Sequence, residues 1–407
     1  MILPAPGAAG SLGANKAIVI DANDPTIVLS TPATDVNGSY TVTVQFSETV
    51  TGFAIGDIVV ANGTKSNFVA VDGDTYTFDV TPTTDGVVTV NIAAGVAQDT
   101  GLNDNAAASQ LSTTYDSIDP TVALSTPLAN VNGVYTVTAE FSEDVYNFVI
   151  GDITVGNGTV GNFVAVDGDT YTFDITPTVD GAVTVDITGN KAQDLAGNGN
   201  TAATQLVTTF DSTLPAITLS TSDPTINGVY TVTAQFSKNV TGFVIGDITV
   251  GNGTAGNFVA VDADTYTFDI TPTLEGNVTV DVAAGVAQDI AANLNTVATQ
   301  LVTLYDATAP TVALSTPDAS VNVPFTVTAE FSEDVFNFVI GDITIANGTA
   351  GNFTVVDGNT YTFDVTPTTD GNVTVDIDIN KAEDASENGN TAASQLVTLY
   401  DATAPVA

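Results

Sequence analysis

Residues 40–47 read Tyr-Thr-Val-Thr-Val-Gln-Phe-Ser. Tyr40, Val42, Val44 and Phe46 alternate with Thr41, Thr43, Gln45 and Ser47, the period of a half-buried β-strand rather than of a helix. The same alternation sets Tyr76, Phe78 and Val80 against Thr75, Thr77 and Asp79, and Val88, Val90 and Ile92 against Thr89 and Asn91. Adding Thr26 to Leu29, Asp57 to Val60, Phe68 to Val71 and Leu111 to Tyr115 gives seven strands, separated by Gly, Asn, Asp and Pro turns. Seven short strands in about 100 residues predict an all-β, two-sheet sandwich of immunoglobulin type, without the Cys pair or Trp of an antibody domain. No helical window of useful length appears.

The unit recurs. Asp-x-x-x-Pro stands at Asp21/Pro25, Asp116/Pro120, Asp211/Pro215, Asp306/Pro310 and Asp401/Pro405, 95 residues apart each time. Residues 21–115, 116–210, 211–305 and 306–400 therefore form four repeats without insertion or deletion. Each is the size of an autonomous small domain rather than a stacking solenoid repeat. The expectation is four tandem Ig-like sandwiches in a linear rod, each spanning about 35–40 Å and together about 150 Å. Lys16 to Ile20, within the segment 1–20, reads as the last strand of a preceding repeat, and 401–407 as the start of another, as if cut from a longer array. Repeats 1 and 3 share Val-Thr-Gly-Phe at 50–53 and 240–243, whereas repeats 2 and 4 carry Tyr146 and Phe336 in place of Thr51 and Thr241. Duplication of a two-domain unit explains that finer period.

Composition then removes whole classes of function. The 407 residues hold 47 Asp and Glu against 5 Lys and Arg, a net charge of −42, with no His, Cys or Trp. A chain without basic patches is a poor partner for nucleic acid or an anionic membrane surface. Lack of His and Cys excludes Ser-His and Cys-His nucleophiles, soft-ligand zinc sites, disulfides and thiol redox chemistry. At 43% hydrophobic residues the chain can still bury cores. Its apolar runs are too short to span a bilayer, and Met1 to Gly13 shows no secretion signal.

With strands alternating in direction, four places share one pole. They are the start of the first strand, the loop after the second, the turn after the fourth and the loop after the sixth. In repeat 2 these hold Asp116 and Asp119, Glu143 and Asp144, Asp167 and Asp169, and Asp194 with Asn198 and Asn200. So many carboxylates at one pole repel unless a cation is present, and calcium accepts six to eight oxygen ligands. The excess of Asp over Glu favours short carboxylates in turns and tight chelation.

Asp306-Ala-Thr-Ala-Pro310-Thr-Val, Phe331-Ser-Glu-Asp-Val335, Asp169-Thr-Tyr-Thr-Phe173, Asp194-Leu-Ala-Gly-Asn-Gly-Asn200 and Gln205 to Thr208 resemble tandem bacterial Ig-like domains of large repetitive surface proteins and adhesins. The resemblance covers residues 21–400. It implies a secreted or cell-surface protein and Ca2+ bound at linker and loop acids. Carried across position by position, it implies as ligands Asp21, Asp116, Asp211 and Asp306 in the linkers. Glu48, Glu143 and Glu333 follow in the next loop, and Asp99, Asp194, Asp289 and Asp384 in the last. Repeat 3 departs from the pattern, with Lys238 where the others have Glu, so a lost or weakened calcium site is expected there.

Plainer readings stand beside these. The acids also read as solvated turn residues, Asp-Gly-Asp at 72–74 and 167–169 as hairpin turns, and Asp57, Asp152, Asp247 and Asp342 as strand caps. Asn-Gly-Thr at Asn62, Asn157, Asn252 and Asn347 matches a glycosylation acceptor but also a β-turn. Lys191 and Lys381 read as surface lysines before isopeptide donors. Four near-identical copies offer no distinctive cleft for a carboxylate-pair enzyme. The function expected is a non-enzymatic, calcium-stiffened spacer of a bacterial surface adhesin. Its partners are the neighbouring repeats, with host or surface ligands engaged elsewhere. The alternatives are a self-associating filament or surface layer, and a glycan-binding module for which Tyr146 and Phe336 are the candidate contacts.

Overall fold

The computed structural model describes residues 21–404; the readings placed on 1–20 and on 405–407 lie outside them. Repeat 1 contains β1 (Ile27–Ser30), β2 (Asp35–Val36), β3 (Tyr40–Phe46), β4 (Ile58–Ala61), β5 (Gly63–Ala70), β6 (Thr75–Pro82), β7 (Gly86–Ile92) and β8 (Leu111–Tyr115). One sheet runs β1-β3-β6-β5 and the other β2-β8-β7-β4, and the same eight strands in the same two sheets recur in the other three repeats. Within repeat 1 all pairings are antiparallel except β2 with β8, where Asp35 faces Thr114 and Val36 faces Tyr115, and each other repeat has the equivalent parallel pair.

Each repeat owns a core. In repeat 1 the inward residues Val42, Val44 and Phe46 of β3, Phe78 and Val80 of β6, and Val88 and Val90 of β7 are buried. Equivalent clusters centre on Phe173, Phe268 and Phe363. Outward partners are chiefly Thr, so the alternation of the sequence is the two-faced pleat of the sheet. The described residues fall into two compact units, one ending at Asp211 and the other beginning at Ser212, so each unit holds two repeats.

Three local features depart from the expected strands. β2 is an added two-residue strand that lays the chain beside the parallel β8. β5 begins at Gly63 rather than Phe68, because Asn62 adopts φ 58° and turns the chain immediately before it. Asp57 is not in a strand. It closes a short 3-10 turn, Ile55–Asp57, where its carboxylate accepts the Ala54 amide proton at 2.8 Å.

A cluster of aromatics ties the loop after β3 to the core. Phe53 packs edge-on against Phe46 at 5.2 Å and Tyr76 at 5.1 Å, while Phe68 stacks on Tyr76 at 5.7 Å. Repeats 2, 3 and 4 reproduce the geometry with Phe148, Phe243 and Phe338. The Tyr171 hydroxyl also donates to the Val145 carbonyl at 3.1 Å. Such rings combine a large buried area with a fixed orientation. Truncation of Phe148 to Ala should therefore cost repeat 2 about 3–5 kcal/mol and free the loop that carries Glu143. Hydrogen exchange of the intact chain should show lost protection confined to repeat 2, and loss spread evenly over all repeats would contradict the separate cores.

Candidate metal centre

The linker residue Asp116 is held from both sides. Its amide donates to the Val36 carbonyl of repeat 1 at 3.0 Å, continuing the β2–β8 ladder. Its carbonyl accepts from Asn198 Nδ2 of repeat 2 at 2.9 Å. Asp306 repeats this, with its amide on Ile226 O and its carbonyl receiving Asn388 Nδ2 at 2.9 Å. The Asp21 carbonyl receives Asn103 Nδ2 at 3.1 Å. The linker carboxylate is thereby placed by backbone geometry before any ion is considered.

The loop after β7 is built around two further groups. Asn105, buried, accepts the amide protons of Val96 and Ala97 on Oδ1 and donates to Ala93 and Ala106 carbonyls through Nδ2. Asp99 accepts from the Asn103 amide at 2.9 Å and from Asn103 Nδ2 at 2.8 Å. These bonds hold a carboxylate that is only 1% exposed. Asn198, Asn200 and Asp194 form the same arrangement in repeat 2.

Three clusters result: Asp21, Glu48 and Asp99; Asp116, Glu143 and Asp194; Asp306, Glu333 and Asp384. In each, one carboxylate oxygen per residue lies within 4.8 Å of the others. Burial, then the charges of Asp116 and Asp194, push the Glu143 carboxyl above its ordinary range. Burial and the charges of Asp384, Asp306 and Glu275 do the same to Glu333, and burial with Asp21 and Asp99 to Glu48. Asp99 goes the other way, lowered first by the Asn103 side-chain bond.

Repeat 3 is built differently. Asp289 pairs with Lys238 Nζ at 3.3 Å, and the same ammonium donates to the Thr213 carbonyl at 2.5 Å. Burial raises Asp289, but the Asn293 bonds and the ammonium outweigh it and leave the carboxyl low. The remaining sequence-named residue, Asp211, closes the first unit with its amide on the Val131 carbonyl.

The Asp-Gly-Asp acids fall into turns. Asp72 accepts the amide protons of Asp74 and Thr75, which lowers it, and Asp167 accepts those of Asp169 and Thr170. Asp152 lies 3.6 Å from Lys191 Nζ. Tyr146 is 49% and Phe336 56% exposed. Tyr146 lines a hollow with Asp35 and Thr114 of repeat 1 and Leu195 of repeat 2.

Sequence reasoning missed a set of acids at the opposite pole. Asp85 of repeat 1 accepts the Ser117 amide proton just beyond the linker aspartate, at 2.9 Å. Glu275 accepts from the Ala307 amide and the Thr308 hydroxyl, and Asp370 from the Ala402 amide and the Thr403 hydroxyl. Their recurrence every 95 residues in the turn before β7 and its counterparts was the available signal.

The family model described as bacterial Ig-like domain matches residues 21–115, 116–210, 211–304 and 306–400. The chain belongs to the bacterial Ig-like domain family. Among solved structures it is similar to the Escherichia coli adhesin FdeC, at 15% identity over 70% of this chain and 98% of that one, with TM-score 0.36. Invasin, a bacterial integrin-binding protein, matches at 14% identity over 92% and 79%, TM-score 0.37. The S-layer protein SbsC matches at 16% identity over 95% and 55%, TM-score 0.24. Comparison with curated proteins returned no match.

The raised glutamates fix a sign. The folded chain binds their protons more tightly than the unfolded chain. Metal-free stability therefore increases as pH falls from the raised folded value toward the ordinary unfolded one, and is lost as pH rises through that window. In chelator at neutral pH, Glu143→Gln should raise the melting temperature of this Ig-like chain. A lower melting temperature than the parent would contradict the repulsion.

Proposed function

We propose that the chain is a non-enzymatic spacer of a bacterial surface protein, stiffened by calcium at its acidic triads. The observation that carries the reading is the exchange in repeat 3. Where the other repeats have Glu48, Glu143 or Glu333, an ammonium stands against the loop aspartate and a linker carbonyl. A stand-in cation at the equivalent place supports a cation in repeats 1, 2 and 4. The atoms grouped there are carboxylate oxygens, with no nitrogen or sulfur ligand, which suits a hard ion such as Ca2+.

The linker aspartate belongs by its amide to one repeat and by its carboxylate to the next. An ion bound there would fix the angle between two repeats while stabilising the second, since it binds only the folded state. Family membership, the tandem repeats and the adhesin and S-layer likenesses support placement at a cell surface. Among the described residues no helix is long and apolar enough to cross a membrane.

Calorimetric titration of the full chain should give calcium binding in repeats 1, 2 and 4, with Asp194→Asn removing the repeat 2 contribution. Saturation at 100 times Kd should stabilise each of these repeats by about 2.7 kcal/mol. Lys238→Glu should add a site, because it returns to repeat 3 the carboxylate found in the others. Binding unaffected by either change would refute the assignment. In small-angle scattering, chelator should reduce the maximum dimension, and an unchanged dimension would remove the stiffening role.

A further inference from the structure

The chain contains nine Asn-Gly pairs, at Asn37, Asn62, Asn132, Asn157, Asn198, Asn227, Asn252, Asn347 and Asn388. This dipeptide can rearrange without an enzyme. The glycine amide nitrogen attacks Asn Cγ, the Cγ–Nδ2 bond breaks, and the amide proton leaves with ammonia. Water then opens the cyclic imide at either carbonyl, giving Asp or an isoaspartyl linkage. The reaction needs a side chain free to rotate and a backbone free to bend.

The fold sorts the nine into two groups. Asn62 is held at φ 58°, its Nδ2 donating to the Thr84 and Val87 carbonyls and its Oδ1 accepting from Thr83 and Thr84. Asn157, Asn252 and Asn347 are locked in the same way. Asn198 and Asn388 are clamped between a linker carbonyl and a loop aspartate.

Asn37, Asn132 and Asn227 are exposed in the bend between the second and third strands of their repeats, and no side-chain hydrogen bond holds them among the described residues. The glycines that follow, Gly38, Gly133 and Gly228, have no left-handed φ, and a methyl group added to any of them would meet nothing within 4 Å. Repeat 4 has Asn322 followed by Val323 at this bend, so the reactive pair is missing there.

We infer that Asn37, Asn132 and Asn227 are intrinsic deamidation sites, whereas the fold protects the other six Asn-Gly pairs. The location gives the change a consequence. Gly197, in the metal-centre loop of repeat 2, lies against the Asn37 amide: a methyl group on it would stand 3.6 Å from Asn37 Nδ2. Asn227 lines a hollow shared with Ser386 and Glu387 of repeat 4. At Asn37 and Asn227 deamidation places a new carboxylate beside the acidic loop of the following repeat, and does so with age rather than by enzyme action.

The test is peptide mass spectrometry on the intact chain after incubation at mildly alkaline pH, following the gain of about 1 Da at each asparagine. The three exposed sites should convert at least about 100-fold faster than the six locked ones, the rate factor equivalent to about 2.7 kcal/mol of retained hydrogen bonding. In denaturant all nine should react at similar rates. Gly38→Ala should suppress conversion at Asn37 alone, since the added methyl meets no neighbour and the fold is kept. Similar native rates at Asn37 and Asn62, or native resistance at Asn37 that disappears only in denaturant, would overturn the inference.

Discussion

Mutual repulsion among carboxylates at the linker pole is the constraint around which the repeats are built. Three oxygens within 4.8 Å of one another, one of them on a buried aspartate, are costly to leave uncompensated. The chain answers with fixed donors. Asn103 and its equivalents supply amide protons to the loop aspartate, while Asp85 and its equivalents, themselves acidic acceptors, fix the linker backbone from the previous repeat. None of these groups neutralises charge. In repeat 3 an ammonium does, and that substitution marks the kind of charge that suits the place.

Rigidity near the acids comes from the core. Phe53, Phe148, Phe243 and Phe338 bury the loop that follows the third strand, so the glutamate earlier in that loop, in the repeats that have one, is not free to swing away from its neighbours. Buried Asn105, Asn200, Asn295 and Asn390 do the same for the other loop through four bonds each to backbone groups. For the cation proposed above, like charges held in place by packing would be a preorganised geometry, because the ordering entropy is met by folding and not by ligand.

Much of this was legible in the sequence. The period-two alternation of 40–47 marked the strands, the 95-residue spacing marked the repeats, and strand direction alone brought Asp116, Glu143 and Asp194 to one pole. The misses have physical causes. β2 is two residues long and carries no pattern of its own. The early start of β5 depends on one left-handed asparagine. Asp85, Glu275 and Asp370 sit at the far pole of their own repeat and matter only because the next linker passes there, a relation between repeats that periodicity within one repeat does not express. Likewise Asp72 and Asp167, which spacing alone left open between turn and ligand, each turn one oxygen, Oδ1, to the amides two and three residues ahead.

The central claim is that a cation sits where the three carboxylates meet and is replaced by Lys238 in repeat 3. Anomalous scattering from crystals of the chain grown with a calcium-mimicking lanthanide tests it most directly. The account predicts a strong peak between Asp116, Glu143 and Asp194, with equivalents at Asp21, Glu48 and Asp99 and at Asp306, Glu333 and Asp384, and none beside Lys238. Peaks confined to the Asp-Gly-Asp turns, or one of equal height beside Lys238 and Asp289, would contradict it.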